Sequence, residues 1–73
     1  MSNHPNRARA ANARAVERLI SAAEKWAAVR EKNAASAARN GMIGPTAVAR
    51  EQDAQQAYEA ARDDLRARFA SEQ

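Results

Sequence analysis

The chain has 73 residues, no cysteine, one histidine and a formal net charge of +3. Without cysteine it cannot form a disulfide scaffold, a thiol nucleophile or a cysteine-ligated zinc site. No apolar run approaches the ~20 residues that cross a bilayer, and the N-terminus lacks the apolar region of a signal peptide. We therefore expect one cytoplasmic domain with no membrane association, no cofactor and no metal.

The positive charge is concentrated at the N-terminus. Residues 1–15 contain Arg7, Arg9 and Arg14 and no acidic residue, whereas acidic and basic residues balance in the rest of the chain. The sequence His4-Pro5-Asn6 locally disfavours helix, so residues 1–11 are predicted to be a flexible basic arm. The phosphate-contact candidates are Arg7, Arg9, Arg14 and Arg18, and a purely solubilising tail is the alternative.

Residues 12–73 are predicted to form a helical hairpin, with a first helix over about 12–39. An apolar seam with steps of four and three is typical of a helix that packs along another helix. In the first helix we assign this seam to Val16, Ile20, Ala23, Ala27, Arg30, Ala34 and Ala37. Leu19 and Trp26 lie beside it and widen the apolar face.

A turn over residues 40–46 separates the helices and contains both glycines of the chain. Gly41 is predicted to end the first helix in the left-handed conformation. The second helix, about 46–70, begins either with Gly44 as N-cap and Pro45 at the first helical position, or with Thr46 as N-cap. Its seam is predicted to be Ala47, Glu51, Ala54, Tyr58, Ala61, Leu65 and Arg68.

A single hairpin of this composition is short of apolar residues. Burying one large apolar side chain contributes about 1.5–3 kcal/mol, against about 1.5 kcal/mol to order each residue. Without disulfides or metals, oligomerisation is the remaining source of stability. We expect an all-α antiparallel hairpin that forms a homodimer in a four-helix arrangement. The residues expected at the dimer or partner interface are Leu19, Trp26, Val29, Tyr58, Leu65 and Phe69.

Two charged residues stand inside the assigned seams. Folding the chain about position 42 places Arg30 near Ala54, one layer from Glu51. The two could form a structural ion pair that sets the register of the hairpin, or part of a charged recognition site. Trp26 could be a core residue, a self-dimer contact or an anchor for a foreign protein, since tryptophan is enriched at such positions.

Two segments resemble small helical-hairpin regulatory proteins of temperate bacteriophages, of the quorum-sensing anti-activator type. They are Leu19–Glu31 (LISAAEKWAAVRE) and Asp53–Leu65 (DAQQAYEAARDDL). The likeness covers about residues 13–70 and implies a dimeric hairpin that inhibits a host bacterial protein, such as a transcription factor or defence complex. A shorter segment, Asp64–Phe69 (DLRARF), is similar to the plasmid regulator ROP, an RNA-binding hairpin dimer.

No catalytic constellation is visible, because His4 lacks a fixed partner and the carboxylates lie on solvated helix faces. The sequence therefore predicts a non-enzymatic protein-binding module, and the resemblance implies a phage or mobile-element regulator. The alternative is a regulator that binds nucleic acid weakly through the arginine-rich arm.

Overall fold

A computed structural model describes residues 4–71, with side-chain surroundings for 7–70, and shows an antiparallel hairpin of two helices. The first helix, α1, is His4–Asn40, and the second, α2, is Pro45–Ser71. The two helices pack against each other, and the described part of the chain contains no strand. The all-helical hairpin is therefore confirmed.

The start of α1 differs from the prediction. Residues 4–11, expected to belong to a flexible arm, are part of the helix, while residues 1–3 of the expected arm lie outside the described residues. Proline is tolerated in the first turn of a helix, since the N–H that it lacks has no intrahelical acceptor there. Beyond Pro5 the segment is mostly alanine and arginine, which favour helix.

The turn follows the predicted chemistry. Gly41 has φ +81°, and its N–H donates to the carbonyl of Ala37 at 2.7 Å, which ends α1 with a left-handed residue. Val48 N–H donates to the Gly44 carbonyl at 3.1 Å, the first hydrogen bond of α2. Of the two starts left open by the sequence, the structure therefore has Gly44 as N-cap and Pro45 at the first helical position.

The seam of α2 is confirmed, because each of its seven predicted residues is buried or half-buried. The seam of α1 was assigned one residue too late. The residues of α1 that are shielded at steps of four and three are Ala15, Leu19, Ala22, Trp26, Val29, Asn33 and Ser36. Val16 and Ile20, assigned to the seam, are instead 37% and 53% exposed.

The core of the hairpin is thin. Among the described residues, the only buried apolar ones are Ala15 and Ala61, and no large side chain is fully buried. The molecule is 61 Å long and only 16 × 15 Å in cross-section. Small alanines let the two helices approach, but they leave little apolar surface enclosed between them.

Candidate partner-binding surfaces

The middle of the seam is occupied by a stack of side chains from both helices. The rings of Trp26 and Tyr58 have centroids 5.2 Å apart with an interplanar angle of 33°, and Arg30 Cζ lies 5.0 Å from the Trp26 ring centroid. Such a ring pair contributes about 0.5–1.5 kcal/mol beyond area burial. The Trp26 Nε1 atom is buried without a hydrogen-bond partner in the described structure. The indole therefore packs inside the hairpin itself.

The predicted ion pair between Arg30 and Glu51 is wrong. Arg30 lies over Trp26, and Glu51 Oε1 accepts a hydrogen bond from Asn33 Nδ2 at 3.0 Å. The ion pairs among the described residues join other partners. The register of the hairpin was predicted correctly, since Glu51 faces the α1 residue equidistant from position 42. The shifted α1 seam places an asparagine at that position, with Arg30 beside the seam.

Asn33 is the buried polar residue of the seam that was not predicted from the sequence. It is 7% exposed, and its amide donates to the Ala47 carbonyl at 3.1 Å as well as to Glu51. A polar residue at a seam position fixes the register of paired helices at some cost in stability. The sequence signal was its place seven residues after Trp26.

The structure places five of the six predicted interface residues between the two helices. Leu19, Val29 and Leu65 are half-buried in the seam, as are Trp26 and Tyr58. Phe69 is different, because it is 50% exposed near the end of α2. These five residues therefore hold the hairpin together, and Phe69 remains available to a partner.

The exposed large apolar residues of the two helices gather on one side of the hairpin. They are Val16, Ile20, Val48 and Phe69. In an antiparallel pair, the residue directly after a seam residue lies on the same side of the pair in both helices. Val16 and Ile20 follow seam residues of α1, and Val48 and Phe69 follow seam residues of α2. Together with Ala23, Ala27, Ala34 and Ala37, we call them the apolar side.

Basic residues gather on the opposite side. A shallow depression there is lined by Arg18, Ser21, Ala22, Lys25, Ala54 and Ala57, and Arg18 approaches Asp64 at 3.9 Å. Lys32 and Arg50 share this side, since they lie seven residues from Lys25 and Ala57. We call Arg7, Arg14, Arg18, Lys25, Lys32, Arg39 and Arg50 the basic side. All seven are exposed.

The four predicted phosphate-contact residues divide between the two sides. The first helix extends back to His4, so the N-terminal arginines lie on a helix. Three of them fall on the basic side at steps of seven and four residues, namely Arg7, Arg14 and Arg18. Arg9 precedes Val16 by seven residues and falls on the apolar side.

Neither a metal cluster nor a membrane span is found in the part of the chain that the structure describes. Within residues 4–71 there is no group of three or more histidines and carboxylates that could hold a metal ion. Neither described helix combines the length and apolarity of a bilayer-spanning segment.

No protein-family model matches the chain, and no curated protein and no solved structure matches it significantly. The apolar side and the basic side are therefore the candidate binding surfaces of the hairpin.

Proposed function

We propose that the protein is a non-enzymatic protein-binding module that pairs with a second copy of itself through the apolar side. The observation that supports this is the position of Val16, Ile20, Val48 and Phe69, exposed on one side of the hairpin. On the α1 half of this side, alanines between the larger residues keep the surface low, so that another helix can approach closely. The α2 half is polar between its two apolar ends, where it carries Gln52, Gln55, Glu59, Arg62 and Arg66. Two hairpins joined in this way form a four-helix arrangement.

The exposed area supports a second copy as the occupant. The chain exposes 5724 Å², whereas a compact monomer of 7.9 kDa is expected to expose about 4,400 Å². The excess is about 1,300 Å² per chain. Stable interfaces bury roughly 800 Å² per partner, and obligate homodimers more. Pairing of two copies would therefore remove about as much surface as the single hairpin has in excess.

Two of the charged residues at the edge of the apolar side contact other groups of the hairpin. Arg30 lies over the Trp26 ring, and the guanidinium of Arg62 donates to Asp63 at 3.3 Å from both Nε and an Nη atom. Both arginines remain in contact with water, since Arg30 is exposed and the Arg62 side chain is 38% exposed. Burial of the apolar surface therefore has to offset the cost of removing water from these two charges.

Two neighbouring alanines provide the test. Ala27 lies on the apolar side and Ala28 lies toward the basic side, and both are exposed. Changing Ala27→Glu would bury a charge in the dimer and prevent pairing, whereas Ala28→Glu makes the same substitution outside the interface. Light scattering at micromolar concentration should give twice 7.9 kDa for the parent chain and for Ala28→Glu, but the monomer mass for Ala27→Glu. A monomeric parent chain, or equal behaviour of the two variants, would refute the proposal.

The regulatory role rests on the sequence resemblance to phage hairpin proteins. We propose that the dimer acts in the cytoplasm of a bacterial host and inhibits a host protein, such as a transcription factor or a defence complex. Affinity capture from bacterial lysate should recover the same protein with the parent chain and with Ala28→Glu. Complex formation between the purified components is the required confirmation, and failure to reconstitute it would reject this role.

A further inference from the structure

We infer that the basic side is a binding surface for the phosphate backbone of a nucleic-acid duplex. The proposal concerns the body of the hairpin, and it is independent of pairing through the apolar side. The proposal follows from the way the fold places acidic and basic residues on different sides of the hairpin. The body of the chain is neutral by composition, but its charges are not evenly distributed over its surface.

The acidic residues of α1 lie away from the basic side. Glu17, Glu24 and Glu31 repeat every seven residues along the edge of α1 that faces away from α2, and all three are exposed. The basic side itself contains seven basic residues and two acidic ones, Asp53 and Asp64. Asp64 is bonded to Arg68 at 2.9 Å and lies 3.9 Å from Arg18. Its charge is therefore already balanced within the hairpin.

The basic side is long enough to follow several consecutive phosphates of a duplex. From Arg14 to Lys32, the rise of 1.5 Å per residue gives about 27 Å, equivalent to about eight base-pair steps of 3.4 Å. Between the basic residues the surface consists of small side chains such as Ser21, Ala54 and Ala57. A phosphate backbone could therefore lie close to the helices, with lysines and arginines on either side of it.

The side-chain chemistry favours a duplex over single strands and over an acidic protein. Single-strand binding uses exposed aromatic residues on which bases stack, but Trp26 and Tyr58 are in the seam and Phe69 is on the apolar side. Protein interfaces are enriched in aromatic residues, methionine and arginine. The basic side shares only the arginines, and its described residues include no aromatic residue and no methionine. Contacts limited to phosphates carry no sequence information, so binding should be independent of sequence.

The test is the salt dependence of binding to a labelled DNA duplex of about 24 base pairs, measured by fluorescence anisotropy. With about five phosphate contacts, the log–log slope should be near −4.5, so affinity should fall about 500-fold between ~50 and ~200 mM salt. An RNA duplex of the same sequence distinguishes DNA from RNA as the preferred duplex. A single strand and a polyglutamate peptide test the other classes of ligand.

A matched pair of double variants separates this surface from general electrostatic attraction. Lys25→Gln/Lys32→Gln should reduce the slope by about 1.8, because two contacts are lost. Arg9→Gln/Arg66→Gln removes the same charge elsewhere and should leave the slope unchanged. Both variants should remain folded, since all four residues are exposed, and circular dichroism would check this.

Three results would overturn the inference. The first is an equal loss of binding in both double variants, which would indicate net charge rather than a surface. The second is an unchanged slope in Lys25→Gln/Lys32→Gln, which would show that the lysines at the centre of the basic side do not contact phosphates. The third is tighter binding of the single strand or of polyglutamate than of either duplex.

Discussion

Removal of the Asn33 amide should be among the most damaging single changes in the hairpin, although asparagine is usually a surface residue. Asn33 is 7% exposed and is the only buried polar residue among those described. Its amide nitrogen connects α1 to the Ala47 carbonyl and to the Glu51 carboxylate, at 3.1 and 3.0 Å. The perturbation is Asn33→Ala, which removes both hydrogen bonds and leaves the helix backbone unchanged.

The magnitude follows from the two acceptors. A neutral hydrogen bond contributes about 0.5–1.5 kcal/mol and a bond to a charged group about 1.5–3 kcal/mol. The loss should lie in the lower half of the sum of these two ranges, because Glu51 is only half-buried and water can replace part of the lost hydrogen bond. We therefore expect Asn33→Ala to reduce the free energy of unfolding by about 2–3 kcal/mol. In a chain of this length that corresponds to a fall of roughly 10–20 °C in Tm.

Thermal and urea unfolding, followed by circular dichroism at one protein concentration, would measure the effect. Asn40→Ala is the control, because Asn40 is an exposed asparagine on the same helix that bonds only to Ser36. It should change the free energy of unfolding by less than about 0.5 kcal/mol. A double-mutant cycle with Glu51→Ala should show coupling of at least about 1 kcal/mol. Equal stability of the two asparagine variants, or coupling near zero, would refute the reasoning.

Three further predictions concern the stack, the turn and the two surfaces. Trp26→Ala should cost about 2–3 kcal/mol, less than a fully buried tryptophan, whereas Tyr58→Phe keeps the ring pair and should cost little, as measured by urea unfolding. Gly41→Ala should cost about 1–2 kcal/mol because φ is +81° there, while Gly44→Ser should be neutral or slightly stabilising as an N-cap; similar losses at both glycines would contradict this. Ala27→Glu should become monomeric and still bind a short duplex with an unchanged salt slope, and loss of that slope would show that the two surfaces are coupled.

The sequence was sufficient to predict features that depend on local chemistry. Gly41 was identifiable as the end of α1 because a left-handed residue after a helix is usually glycine. The seam of α2 was identifiable because only one stripe of that helix combines Tyr58 and Leu65 at heptad spacing. With the turn and one seam fixed, the register about position 42 followed, and the contacts of Trp26 with Tyr58 confirm it.

The seam of α1 could not be predicted because this helix has two adjacent stripes with heptad spacing. One contains Val16 and Ile20 and the other contains Leu19 and Trp26, and they differ by one residue in phase. Which stripe faces α2 depends on packing: the large ring of Trp26 meets Tyr58 only in the second. As a result, Arg30 was wrongly assigned to the seam. Asn33, which lies in the seam, was not predicted there.

The same ambiguity explains how a hairpin this thin can present two surfaces. Since α1 needs only one of its stripes to pack against α2, the stripe of Val16 and Ile20 is left exposed beside Phe69. The basic residues occupy the other flank of the seam, where Arg18 and Lys25 line the depression against α2. If two hairpins pair through their apolar sides, their basic sides face outward in opposite directions. A dimer built in this way would carry two equivalent duplex-binding surfaces, and neither would have to move for the other to be occupied.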